Sequence, residues 1–273
     1  MRIGLGGGAL GTMDDAAADR LLDAARALGV RHVDVARSYG RAEAHVGRWQ
    51  RARGAPLGVV TKGGYGVPGV EDWTGAAVQA GVEAALATLG PLSAFLLHSC
   101  PPRVLDREDV REALRWAASR GVAVGYSGDN DDLHGALDRA GALGLTMVEL
   151  SLSLLDGKAR VHTLPRARAA GLTVIAKRAL ANAPWRPGPR SPDAERQHAR
   201  LMRAALPDVG LPLDELFLRY AAFTPGVDTV LVGTSQPAAL ERAVACVARG
   251  PLSDDVHHAL AGALSRCDDD SLV

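Results

Sequence analysis

Four side chains in the first hundred residues have the types and spacing to handle a proton beside a reacting oxygen: Asp34, Tyr39, Lys62 and His98. Asp34 and Tyr39 stand five positions apart in His-Val-Asp-Val-Ala-Arg-Ser-Tyr-Gly over 32–40. Lys62 sits in Thr-Lys-Gly-Gly-Tyr-Gly over 61–66, and His98 in Leu-Leu-His-Ser-Cys over 96–100. A free phenol has a pKa of about 10, too high to give up a proton readily near neutrality. An ammonium beside it favours the phenolate, and a carboxylate on the ammonium keeps that charge in place. An imidazole near the phenol can hydrogen-bond a substrate oxygen or pass on a proton. The four together form a device for protonating an oxygen while another group attacks its carbon. Each also has a plainer reading: Asp34 as a helix cap, Tyr39 as loop packing, Lys62 reaching solvent, His98 as a mouth residue without a role.

What must position them is a set of short apolar runs alternating with longer segments of helical spacing. Strands are expected over 3–5, 32–36, 57–61, 94–97, 122–126, 147–152, 173–176 and 228–232, where β-branched residues cluster. Helices are expected over 16–28, 76–89, 108–119, 132–143, 159–170 and 213–223, with a final one over 254–267 and a frayed tail over 268–273. In the first helix Ala17, Leu21, Ala24, Ala25 and Leu28 form an apolar stripe, with Asp14 or Asp15 as the N-cap. Gly29, Gly90, Gly121 and Gly171 follow helix ends, where a left-handed residue closes the last turn. Eight strand–helix units point to an all-parallel α/β sheet closed as a (β/α)8 TIM barrel, one domain over 1–273. The Pro- and Arg-rich stretch 183–192 reads as a long loop after the seventh strand. In such a barrel functional side chains lie at the C-terminal ends of strands, and Asp34, Lys62 and His98 end three consecutive ones.

Composition narrows the partners. Lys plus Arg (31) balance Asp plus Glu (31), so no overall field recruits nucleic acid or an anionic membrane. Neither partner is expected, and the oligomeric state stays open. Cys100, Cys246 and Cys267 are widely spaced, without a CxxC pair, which fits reduced thiols and a cytoplasmic location. The glycine-rich opening reads as a strand and turn, not a leader, and no run of about eighteen apolar residues spans a bilayer. No HExxH or HxH occurs, so no metal is expected.

Taken in order, these motifs resemble those of the aldo-keto reductases, over Ile3 to about Arg249. The resemblance includes Ile-Gly-Leu-Gly-Gly-Gly over 3–8, the Asp34-to-Tyr39 spacing, Thr-Lys at 61–62 and Leu-Leu-His at 96–98. It continues through Val-Gly-Tyr-Ser at 124–127, Ser-Leu-Leu-Asp at 153–156 and Val-Leu-Val-Gly-Thr-Ser at 230–235. It implies reversible reduction of an aldehyde or ketone to an alcohol, with NADP as cofactor and NAD as the alternative. Tyr39 would be the general acid/base, Lys62 held by Asp34 would lower its pKa, and His98 would orient the carbonyl. The same resemblance implies a cofactor held by Gly7 and Gly8, by Ser127 and Glu149 at the carboxamide, and by Lys177 at the nicotinamide ring. Leu180 and Ala181 would meet the pyrophosphate, and Gly233, Thr234, Ser235 and Gln236 a phosphate of the adenosine half.

Five positions depart from the family pattern. Glu149 stands where a Gln is usual, Gly128 where an Asn often follows the Ser, and Lys177 where a Tyr commonly stacks on nicotinamide. Ala239 and Ala243 replace an Arg and an Asn that often bind the adenosine end, leaving Arg178 or Arg242 as substitutes. The loop over 99–106 is short, and Tyr65, Trp73 and Trp185 are candidates to line an open mouth suited to a bulky or sugar-like substrate. Two other functions fit parts of the pattern. A Schiff-base aldolase would use Lys62 as nucleophile, and a regulatory or sensor protein would bind the cofactor on the same barrel without turnover.

Overall fold

The computed structural model describes residues 2–54, 57–188 and 191–268; the end of the expected tail, from 269 on, lies outside them. Eight parallel strands close in sequence order: β1 (Ile3–Gly6), β2 (His32–Asp34), β3 (Gly58–Gly63), β4 (Ala94–His98), β5 (Ala123–Ser127), β6 (Met147–Ser151), β7 (Thr173–Lys177) and β8 (Thr229–Gly233). Closure is made by β8 on β1, with Leu5 opposite Val232 and Gly6 opposite Gly233. The (β/α)8 barrel expected from the alternation is therefore the fold.

Strand parity explains where the chemistry lands. Successive side chains on a strand point to opposite faces, so one residue in two faces the barrel interior. Val60, Ala94, Leu96, Ile175 and Leu231 pack together as one such interior layer, with Ala123 and Met147 against it. Two residues further along the same strands come Lys62, His98, Glu149, Lys177 and Gly233, and on β5 Ser127 lies four past Ala123. On β2 the step from His32 reaches Asp34. The polar layer thus lies on the apolar one at the C-terminal mouth, and the outward residues pack the helices into the main core.

The helical layer comprises α1 (Asp15–Ala27), α2 (Ala42–Arg53), α3 (Gly75–Leu89), α4 (Glu108–Ser119), α5 (Asn130–Asp138), α6 (Ala140–Leu143), α7 (Leu164–Ala169), α8 (Pro192–Ala204), α9 (Leu213–Phe223), α10 (Pro237–Ala248) and α11 (Asp254–Asp268). Asp14 caps α1 by accepting from the Ala17 N–H at 2.7 Å. The buried stripe of α1 is Ala18, Leu21, Leu22 and Ala25, rotated from the expected one toward Ala18 and Leu22. Gly29 and Gly171 take the left-handed conformation expected at their helix ends (φ 75° and 72°).

The expected helix over 132–143 is two, broken at Arg139 between α5 and α6. The one over 159–170 opens with a wider π turn, Ala159–Thr163, before α7. Helices α2 and α10 fill the places after β2 and β8 that the eight strand–helix units require, though the sequence pattern set no bounds for them, and α8 is an addition in the loop after β7. In α2, Arg and His alternate with small residues, hiding an inner face of Ala42, His45, Val46 and Trp49. The loop after β7 ends at Ser191, whose hydroxyl accepts from the Ala194 N–H and starts α8.

Candidate active site

At the mouth of the barrel Lys62 is buried with its ammonium enclosed by oxygen. Its Nζ donates to an Asp34 carboxylate oxygen and to the Val35 carbonyl at 3.1 Å, and lies 3.2 Å from Glu149 Oε2. Asp34 is 2% exposed, Glu149 2% and Lys62 1%, so no water screens this group. Two carboxyls thus share one lysine. Asp34 Oδ2 is buried without a hydrogen-bond partner among the described residues, and Glu149 Oε2 is held by the Lys62 ammonium as an ion pair without hydrogen-bond geometry. A proton on either carboxyl gives the other a donor, since the two side chains are hydrogen-bond neighbours.

The charges decide where that proton rests. Burial and the neighbouring Glu149 raise the Asp34 carboxyl well above the usual carboxylate range, against the pull of Lys62. Burial works against the Glu149 charge too, but Lys62 and Lys177 together hold Glu149 below its ordinary value. Asp34 has one cation to lean on and Glu149 has two, so Asp34 is the more readily protonated of the pair. Burial opposes the Lys62 charge, but Asp34 and Glu149 together raise the ammonium above its ordinary value.

Tyr39 faces this ammonium, with Lys62 Nζ 5.4 Å from the ring centroid. Lys62 pulls the phenol down, as expected, but that pull does not set the net direction. Burial dominates, Asp34 and Glu149 add to it, and the pull of Lys62 offsets only part, so Tyr39 stands above 10.0 and is a protonated acid. His98 meets Tyr39 edge-on, ring centroids 6.0 Å apart. Burial, with Lys62 and Lys177 nearby, lowers the imidazole to about 4, so it is neutral near pH 7. Tyr65 Oη lies 3.2 Å from His98 Nδ1. A neutral ring accepting from Tyr65 at Nδ1 carries its proton on Nε2.

A cleft of about 520 Å³ opens over these groups. Of the residues singled out from sequence, Gly7, Gly8, Asp34, Tyr39, His98, Glu149, Lys177, Leu180 and Gly233 line it. Lys62 and Ser127 lie buried beneath, where Ser127 Oγ accepts from Lys177 Nζ at 3.2 Å. Thr234, Ser235 and Gln236 line an adjoining cavity of about 240 Å³ with Arg242, Ala239 and Ala243. Leu180, Arg186, Val232 and Gly233 border both spaces, so the two form one elongated groove. The Gln236 N–H is already taken by Thr234 Oγ1 at 3.0 Å, one fewer donor for an anion than the loop suggested. Ala181 turns away from the groove into a third cavity.

Glu149 and Lys177, read from sequence as facing a nicotinamide, are also part of the charge network around Lys62. Gly128 has a structural cause: a Cβ there would meet Tyr126 Cε1 at 2.7 Å. Trp185 packs on Phe217 at 4.9 Å between centroids and Trp73 meets Tyr65 at a tilt with centroids 5.1 Å apart; none of the three aromatics expected at the mouth is among the residues lining the cleft. The bond from Tyr65 to His98 was missed; its only sequence signal was a tyrosine three residues past Lys62 in a glycine-rich turn.

The chain matches the model of the aldo/keto reductase family over residues 2–264, and it belongs to that family of oxidoreductases. Among solved structures it is similar to an aldo-keto reductase from Bacillus halodurans in its holo form, at 23% identity and TM-score 0.80, covering 96% of this chain and 91% of that one. It is also similar to a Pseudomonas aeruginosa protein described as an aldo-keto reductase, at 25% identity and TM-score 0.71, covering 91% and 89%. No curated protein matches the sequence. Among the described residues, no helix is long and apolar enough to cross a membrane.

Proposed function

We propose that this protein reduces an aldehyde or ketone to an alcohol with a nicotinamide dinucleotide, NADP before NAD. The observation that carries this reading is the convergence of Tyr39, His98 and the buried Lys62 ammonium on one end of an elongated groove. The floor of the groove fits such a cofactor. A Cβ on Gly8 would meet nothing within 4 Å, and one on Gly233 only the Gly6 carbonyl at 4.0 Å, so backbone and ligand can approach closely. Gly7, Gly8, Ser127, Glu149 and Lys177 would hold the nicotinamide end. Leu180 and Gly233 would hold the middle, and Thr234, Ser235, Gln236 and Arg242 the adenosine end. A bound nicotinamide supplies the hydride.

The protein's own groups handle the proton. His98 donates from Nε2 to the carbonyl oxygen and sets it toward Tyr39. Tyr39 Oη gives up its proton to that oxygen. The fixed Lys62 ammonium stabilises the phenolate left behind, without reorganising water around it. Burial makes Tyr39 a weak acid at rest, so the ammonium acts chiefly when negative charge develops. A Schiff-base role for Lys62 fits poorly: an amine raised in pKa and enclosed by two carboxyls is no nucleophile.

The test is a fluorescence titration with NADPH and NADH, followed by a panel of aldehydes and ketones. Tyr39→Phe should lower turnover by about 10²-fold or more while leaving nucleotide affinity within about twofold. Failure to bind either nucleotide, or full turnover by Tyr39→Phe, would refute the reading.

A further inference from the structure

Beside the catalytic groove lies a separate cavity of about 590 Å³, within the range of small-molecule sites. It is built by the segments after β5, β6 and β7 together with α8. Three of its lining side chains carry buried polar atoms without a hydrogen-bond partner among the described residues: Ser151 Oγ, Asn130 Oδ1 and Gln197 Oε1. Ser151 is 7% exposed. The Asn130 amide is oriented by its other end, since Nδ2 donates to the Ser151 carbonyl at 3.2 Å. Buried polar atoms in folded proteins have partners, so three orphans on one cavity call for a ligand with several donors.

The charge of the lining limits what those donors are. Five cationic side chains face three carboxylates around the cavity. Arg178 Nη1 lies 3.2 Å from Asp129 and Arg200 Nη1 a looser 3.6 Å from Asp156, whose other carboxylate oxygen is occupied by the N–H and hydroxyl of Ser153. An ammonium ligand would supply donors but meet a cationic surround. Hydroxyl groups supply the donors without the repulsion, and an anionic group suits the guanidiniums.

Arg178 and Asn182 border both this cavity and the catalytic cleft. That shared wall is strained: Arg178, Ala181, Asn182 and Ala183 all have positive φ (55°, 47°, 61° and 51°), a conformation L-residues seldom hold without support.

We propose that this cavity binds a small polyhydroxylated anion, a sugar phosphate or a sugar acid, next to the catalytic cleft and separated from it by the wall at Arg178 and Asn182. The site does not depend on the catalytic reading, because its test measures binding and not turnover. Calorimetric titration of the full chain would use ribose 5-phosphate, gluconate, ribitol and inorganic phosphate. Ribose 5-phosphate or gluconate should bind at least about tenfold more tightly than ribitol or inorganic phosphate. Whichever of the two binds identifies the anionic group. Ser151→Ala combined with Gln197→Leu should weaken that binding about tenfold or more, and Arg200→Gln alone should do likewise. Unfolding midpoints measured alongside establish that both variants fold. Equal affinity for inorganic phosphate and the sugar phosphate would overturn the proposal, as would binding untouched by the variants or no heat with either sugar anion. Competitive displacement by NADPH would overturn it too, because it would put the anion in the catalytic groove.

Discussion

If one buried ammonium is shared by two carboxyls, removing either carboxyl should be tolerated and removing both should not. In Asp34→Asn a neutral acid becomes a neutral amide, and Lys62 keeps Glu149 at 3.2 Å. The loss is that of a hydrogen bond, about 1 kcal/mol. In Glu149→Gln one of the two causes that raise the Asp34 carboxyl disappears, leaving burial alone against the pull of Lys62. Asp34 then ionises and takes over as counter-ion, at a cost of about 1–2 kcal/mol. The double variant leaves Lys62 facing amides and the Val35 carbonyl. An uncompensated buried charge costs about 3–5 kcal/mol, so the double should exceed the sum of the singles by about 1–2 kcal/mol. At about 2–4 °C per kcal/mol for a domain of this size, its midpoint falls by roughly 6 °C or more. Adding Lys62→Met to the double variant removes the orphaned charge and should restore part of the loss.

The assay is urea unfolding of the full cycle, with an infrared carboxylic-acid band read at about pH 6, above the ordinary carboxylate range. The wild type should show that band from Asp34, and both single variants should lack it. The sign with pH follows from the two shifts. Asp34, raised on folding, stabilises the protein below its unfolded pKa, and this is lost as pH climbs through the folded value. Glu149, lowered on folding, stabilises above its unfolded pKa and loses this as pH falls through the folded value. Additive losses with no recovery from Lys62→Met would refute the sharing.

His98 should stay neutral until about pH 4, so its imidazole resonances should show no titration near 6.5. The same lowering predicts that stability falls as pH drops from 6.5 toward 4, and less so in His98→Gln. With Asp34 protonated, the nicotinamide end holds two ammoniums and one carboxylate, so NADPH should bind more tightly than cationic NADP+. Lys177→Met should narrow that ratio by about tenfold in fluorescence titrations, and an unchanged ratio would dismiss the role of Lys177. Gly128→Ala drives a Cβ into the Tyr126 ring and should cost about 1–3 kcal/mol in urea unfolding. Cys100, buried and raised to about 12, should resist alkylation in the folded protein and react once it is unfolded.

The barrel was legible because its signal is repetitive: eight apolar runs buried on both faces, several followed by a helix that closes on a glycine. The placement of Asp34, Lys62 and His98 was legible for the same reason, since the ends of parallel strands all meet at one rim. What escaped notice depends on parity around the ring. Lys177 ends β7 as plainly as Lys62 closes β3, and Glu149 lies in the same inner layer of β6, yet judged singly they were departures from a motif. Side by side in the inner layer they are compensating charges: the extra carboxyl is held by Lys62 and by the extra ammonium at once. The net Tyr39 shift was not legible for a related reason, because the pull of a nearby lysine can be inferred from strand order but burial of the phenol, which outweighs it, cannot. Helix α2 hid because its inner face includes His45 and Gln50 beside Val46 and Trp49, so its apolar stripe is broken in sequence but continuous in packing. The two substitutions that look most damaging to cofactor binding are therefore coupled. Glu149→Gln made alone should leave Lys177 without its carboxylate, whereas Glu149→Gln with Lys177→Tyr should recover nucleotide affinity that neither single change retains.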